Sequence, residues 1–414
     1  MSPLNMLRSL KGNSKIGLIL MAYIAFIALG MQEGLLGIAW PTMRVDFSIP
    51  LDSIGILLVA SVIGYMTSSF MSGALVTRMG IGRLLLVSFA LAGAAFIGYA
   101  LAPSWWMLII MSVFAGLGAG AIDAGLNTYV AANFGEGSMQ WLHASFGVGA
   151  TFGPIIMTAA LTAFNSWRPG YGVVGSVRIA LAMCFVFTLP MWSRKTTLSE
   201  ANEPKTITDY KTPMGQTLQQ PSVWLSALMF FTYVGAEISL GTWIYSLLVE
   251  ARGVDPTMAG IWTGSFWATF TLGRVLAGLY ARRIGVHRLV QGCLVIALVG
   301  TILLVWNPSS LANLLAVVLI GFSIAPIFPA MMSGTSRRVG ESSAVNTIGI
   351  QMTATGLGTA VIPGLLGILA RNYSLEIIPI CLVVVFLAVF ISYRLSMALQ
   401  THQERLYEHS DISR

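Results

Sequence analysis

The sequence predicts an all-α membrane protein with twelve transmembrane helices arranged as two parallel six-helix bundles, and three observations predict it. Hydrophobic residues fill 56% of the 414 positions and charged residues only 9%, with a mean hydropathy of +0.79; a soluble globular domain carries about 25% charged residues. Twelve apolar runs are long enough to cross a hydrocarbon core of about 30 Å. Motifs in the first half of the chain recur in the second at a nearly constant offset.

Taken in order, residues 1–15 read as a short basic tail. The first span, near 16–42, contains EGLLGIAWP at 33–41, which puts a carboxylate, two glycines and a proline into an apolar run. This run is too long for a signal-peptide core and carries Glu33, so it is expected to stay in the protein. Spans near 54–77, 84–102, 105–132, 140–164 and 172–192 complete an N-terminal half, 16–192. Residues 193–221 are polar and charged and read as a cytoplasmic linker. Spans near 222–248, 257–281, 287–306, 310–333, 344–370 and 375–398 form the C-terminal half, 222–398, followed by a tail, 399–414.

The repeat joins the halves into one scheme. GALVTRMGIGR at 73–83 is a tight turn between spans two and three, and GLYARRIGVHR at 278–288 repeats it at offset 205, matching Arg78 to Arg283 and Arg83 to Arg288. EGLLG at 33–37 recurs as EISLG at 237–241, offset 204. Gly147, Gly149 and Pro154 fall on Gly356, Gly358 and Pro363 at offset 209. Two six-helix halves of the same orientation, with a substrate site near the midplane, are the architecture of the major facilitator fold. The 73–83 turn resembles that superfamily's loop signature, with Thr77 where an aspartate is usual and Gly82 for one basic residue.

Charge sets the expected orientation. Of the lysines and arginines, 17 fall in segments predicted to be cytoplasmic and four in the opposite loops (Arg44, Arg168, Arg252 and Arg371), which places both termini in the cytoplasm of a plasma-membrane protein. The net charge of +7 thus describes topology rather than a nucleic-acid partner. Cys184, Cys293 and Cys381 lie far apart in apolar runs, without metal-ligand spacing, and read as packing residues. No nucleotide-binding G-x-x-x-x-G-K-[ST], H-E-x-x-H or G-x-S-x-G occurs, so neither an ATP-driven pump nor an intramembrane enzyme is expected. Concentrative transport then has to draw on a proton or sodium gradient, with no bound cofactor.

The buried carboxylates are the candidates for that coupling. Glu33, Asp123 and Glu237 stand inside apolar runs, where a carboxylate costs roughly 2.5 to 3.5 kcal/mol on insertion scales. A carboxyl group that is charged when open to water and neutral when occluded can carry a proton through alternating access. Asn127 lies four residues after Asp123, on the same helix face, and an amide beside a carboxylate can grip vicinal hydroxyls, each of which both donates and accepts. His143, near the start of span five, is a further proton-carrying candidate. Arg178 and Arg274 are arginines left within spans and need partners, with the acids the obvious supply; together with Arg78, Arg83, Arg283 and Arg288 they form the gating or structural charges. Gln351, Asn346, Trp243 and Trp267 are candidate substrate contacts.

Several stretches together resemble the fucose-galactose-glucose:proton symporter branch of the superfamily, including its sodium-dependent glucose transporter-like members: DAGLNTYV at 123–130, MQWLHASFGVGATFGP at 139–154, YVGAEISLG at 233–241, FWATFTLGR at 266–274 and GFSIAPIFP at 321–329. The resemblance implies that Glu33 and Asp123 are the helix 1 and helix 4 acids of proton and sugar coupling, with Asn127 beside the latter, and that Glu237 is a recurrent helix 7 acid. The expected function is ion-coupled symport of a monosaccharide or similar polyhydroxy solute by a monomer in the lipid bilayer. A proton-driven exporter of amphipathic compounds is the alternative, and a receptor that no longer transports is the reading from another class.

Overall fold

The computed structural model describes residues 3–134, 136–192 and 212–412; side chains at 3–15, 131–132, 136–137, 140, 278–283, 345 and 401–412 lie outside the description. Most of the predicted linker, and the side chain of Arg283, therefore fall outside the described residues. Contacts divide the chain into two compact units, one comprising Met1–Leu198 with Ile244–Thr271 and the other Ser199–Trp243 with Leu272–Arg414.

The first unit holds α1 (Pro3–Gly30), α2 (Leu35–Asp46), α3 (Ile54–Met79), α4 (Ile81–Leu101), α5 (Trp105–Asn133), α6 (Glu136–Phe164) and α7 (Arg168–Trp192). In the other half of the chain follow α8 (Met214–Leu218), α9 (Pro221–Ser246), α10 (Pro256–Ile284), α11 (Val286–Trp306), α12 (Ser310–Ile324), α13 (Ile327–Ser333), α14 (Thr335–Val339), α15 (Glu341–Asn372) and α16 (Ile377–Ile412). The residues read as terminal tails continue α1 and α16 as helix. Among the described residues eleven helices are long and apolar enough to cross a membrane. The run near 257–281 forms α10 but is not one of them, because Thr257, Thr263, Ser265, Thr269, Thr271 and Arg274 dilute its apolarity.

Two predicted spans are not single helices. The first unwinds over residues 31–34, where Gly34 takes φ +72°, a left-handed conformation that costs glycine little. In the second half the corresponding helix, α9, runs unbroken through Glu237, since the residue after it is Ile238, whose branched side chain disfavours that conformation. It changes instead to a π-helical turn at Leu247–Ala251. The tenth predicted span breaks at Ala325 and Pro326, between α12 and α13. Pro326 and Pro329 lack the N–H groups that would continue the hydrogen-bond ladder.

The repeated glycines have a shared purpose. A Cβ on Gly149 would collide with the Ile27 carbonyl, and one on Gly358 would collide with the Phe231 carbonyl. Ile27 and Phe231 are themselves offset by 204, so each half uses a glycine to seat one helix directly on the backbone of another, the close approach that small residues permit in membrane helices. Around the first of these contacts Phe26, Leu29, Ile122, Leu126, Leu142 and Phe185 pack as a buried core.

A polar cluster at a broken helix

In the first unit the break after α1 leaves backbone carbonyls without helical partners, and a buried arginine takes them. Arg178 of α7, 0% exposed, donates from Nη2 to the carbonyls of Ala28 at 3.2 Å and Leu29 at 3.3 Å, and to Gln32 Oε1 at 3.0 Å. Its guanidinium carbon lies 4.5 Å from the Phe96 ring centroid, a cation–π position. Gln32 in turn donates to Glu33 Oε1 at 3.4 Å. The hydrogen bonds of Arg178 thus go to a helix end and an amide, where the sequence suggested an acid. The reason is the break itself, which supplies carbonyls that a continuous helix would not. Glu33, expected within a helix, sits half-buried in the turn and interacts electrostatically with both Arg178 and Tyr65.

Tyr65 of α3 joins this turn to Asp123. Its hydroxyl donates a hydrogen bond to Asp123 Oδ2, while Asn127 donates to Asp123 Oδ1 at 2.8 Å. Both carboxylate oxygens are therefore held, yet Asp123 and Asn127 are only half-buried and Tyr65 is 37% exposed. Close packing brings α3 and α5 together: a Cβ on Gly116 would strike the Ser61 carbonyl and one on Gly120 the Tyr65 carbonyl. Trp267 also reaches the break. A Cβ built on Gly34 would lie 3.0 Å from its Nε1, which is buried without a hydrogen-bond partner. The assembled cluster thus combines carboxylates, a phenol, amides, a guanidinium and a spare indole N–H.

The second unit builds a related arrangement. Tyr233 donates to the Ile324 carbonyl at 2.7 Å and Arg274 Nε to the Ala325 carbonyl at 3.5 Å, so the end of α12 is capped by a phenol and an arginine. Half-buried Glu237 interacts with both Tyr233 and Arg274.

Other candidates lie elsewhere. Trp243 is fully buried and donates to the Pro363 carbonyl at 3.0 Å. Gln351, also fully buried, donates to Ser226 Oγ at 2.6 Å and bonds Thr335, which accepts from Arg338. Burial pushes the Arg338 guanidinium down to about 10. Asn346 binds the Thr212 carbonyl at 2.9 Å and Thr217 Oγ1 at 3.0 Å. His143 is exposed and meets Phe26 edge-on at 5.9 Å, and Arg78, Arg83 and Arg288 are exposed.

Tyr65 and Gln32 are the cluster members the sequence did not single out. Tyr65 had one signal, the hydroxyl-rich run Tyr65, Thr67, Ser68 and Ser69 on an otherwise apolar helix. The ion pair of Arg44 with Glu250 at 2.6 Å was likewise not anticipated. Among the described residues no group of three His, Cys, Asp or Glu side chains could hold a metal ion.

Membrane-length helices, with carboxylates held half-buried beside a helix break, make up a polytopic membrane protein. The chain belongs to the Major Facilitator Superfamily, whose family model matches residues 22–363 and again 225–406. It is 21% identical to the glucose/mannose transporter GlcP of Bacillus subtilis, covering 85% of this chain and 87% of that one. It is 25% identical to the sodium-dependent glucose transporter 1A of Mus musculus, covering 85% and 89%. The fold matches a bacterial homologue of the human lysosomal transporter Spinster, in an inward-facing and occupied conformation, with a TM-score of 0.75 over 93% of this chain and 97% of that one, at 13% identity. The protein is a multi-pass secondary transporter with the two-domain helical architecture of alternating access.

Proposed function

We propose that the protein symports a monosaccharide or similar small polyhydroxy solute with an ion, a proton before sodium, and that it belongs with the fucose-galactose-glucose:proton symporter branch. The observation that carries this reading is the Tyr65–Asp123–Asn127 cluster. An ionised Asp123 accepts from both neighbours; a proton on Oδ2, the oxygen facing a hydroxyl that can itself accept, turns that oxygen into a donor, so Tyr65 has to turn its hydroxyl or let go. Proton binding thereby changes the hydrogen-bonding character presented to a solute hydroxyl. Relatives named for glucose and mannose transport support the solute class, and the sodium-dependent relative keeps sodium as the second coupling ion.

Proteoliposome uptake of labelled glucose, galactose and fucose, under an imposed inward proton gradient and then a sodium gradient, tests the proposal. Accumulation is expected under one gradient and is expected to vanish in Asp123→Asn, whose side chain cannot cycle a proton, while solute exchange without a gradient persists. Undiminished accumulation by the variant would remove Asp123 from coupling. No accumulation of any sugar under either gradient would overturn the symport reading in favour of the amphipathic exporter.

A further inference from the structure

Away from the polar cluster, in the second unit, a groove of about 490 Å³ opens between α11 and α16. On α11 it is lined by Arg288, Gln291, Gly292 and Val295, spaced as successive positions on one helix face, and on α16 by Phe390 and Arg394, four residues apart. Both arginines are exposed and stand at the end of the groove reached first along α11 and last along α16. Gln291 adds an Nε2 buried without a hydrogen-bond partner. Beyond them the surface becomes apolar: Val295, Val299 and Ile302 on α11 and Leu387 and Ile391 on α16 are all exposed. One end thus offers two guanidinium groups above a buried, unpartnered amide nitrogen, and the rest offers aliphatic and aromatic surface. Among the described residues no carboxylate lines the groove to neutralise the arginines.

We propose that this groove binds an anionic phospholipid, with the phosphate on Arg288 and Arg394 and an acyl chain along Val295 and Phe390. Guanidinium groups bind phosphate through paired N–H donors, and basic pockets between membrane helices are suited to acidic headgroups. The site gives Arg288, an arginine of the repeated turn motif, a ligand of its own. A free phosphate would satisfy the arginines but leave the apolar part of the groove without a partner.

The experiment is native mass spectrometry of the purified full chain titrated with phosphatidylglycerol and with phosphatidylcholine, alongside thermal unfolding with each lipid and with inorganic phosphate alone. Phosphatidylglycerol is expected to bind at least tenfold tighter than phosphatidylcholine and to raise the melting temperature, whereas phosphate alone leaves it unchanged. Each of Arg288→Gln and Arg394→Gln should weaken phosphatidylglycerol binding about fivefold, the contribution of one basic residue at an anionic surface. Gly292→Phe is the second variant, because a Cβ there meets nothing within 4 Å and the ring fills the groove while both arginines remain. Equal binding of the two lipids, full stabilisation by phosphate alone, or unchanged binding in Gly292→Phe would overturn the assignment. Should the arginine variants fail to fold, Gly292→Phe decides.

Discussion

Asp123 shows how far single residues could be read. A carboxylate in an apolar run with an asparagine four residues on implies a shared helix face, and the Asp123–Asn127 hydrogen bond at 2.8 Å is that geometry. Tyr65 was not legible in the same way, because a lone tyrosine in a membrane helix is ordinary and only the packing of α3 on α5 aims its hydroxyl at Asp123. Tyr65→Phe removes this donor and leaves the ring. A hydrogen bond to a charged group contributes about 1.5 to 3 kcal/mol, so if that energy is spent on holding Asp123 for coupling, gradient-driven uptake by the variant should fall at least tenfold. Uptake equal to wild type would show that Tyr65 only fills space. Gln351 and Trp243 illustrate the opposite case: type and position suggested solute contacts, but whether such a side chain faces a path or a core is set by neighbours distant in sequence.

Elements carry the next level of argument. The glycine and proline of EGLLGIAWP announce a disturbance in the first span, yet composition could not say whether that helix kinks or stops. The outcome depends on Arg178, 150 residues away from the Ala28 carbonyl it caps. Gly34 fixes the break from the other side, through its left-handed φ and its contacts: a Cβ there would lie 2.8 Å from Pro154 Cγ. Gly34→Ala should therefore lower stability by about 1–2 kcal/mol for the backbone conformation alone, with an added cost from the collision. Fluorescence-detected thermal unfolding in detergent would show it as a lower melting temperature than wild type, with Gly292→Ala as a control that meets nothing. An unchanged melting temperature would mean that the turn is free to refold as helix. Arg178→Gln should be worse, because it removes the guanidinium cap from more than one buried carbonyl, and each buried polar group left unsatisfied costs about 1–3 kcal/mol.

At the scale of the whole molecule the repeat was legible because glycines that seat helices on backbone leave the same spacing in both halves, as Gly149 and Gly358 do. The number of spans was harder to read, and α10 is the reason. Its hydroxyl residues and Arg274 hold its apolarity below that of the eleven other membrane-length helices. An arginine at a helix centre costs about 2.5–3.5 kcal/mol on insertion scales, but in the folded second unit Arg274 has the Ala325 carbonyl and Glu237 as partners, which offset that cost. If α10 crosses the membrane, twelve spans bring both termini to one side, and the distribution of basic residues makes that side the cytoplasm. If it does not, eleven spans put the termini on opposite sides. A fluorescent protein fused after Arg414 should therefore glow and an alkaline phosphatase fused there should stay inactive. Phosphatase fused in the loop near residue 254, between α9 and α10, should be active. Active phosphatase at the C-terminus, together with a cytoplasmic N-terminus, would leave α10 outside the bilayer and remove the two parallel six-helix bundles from the description of this chain.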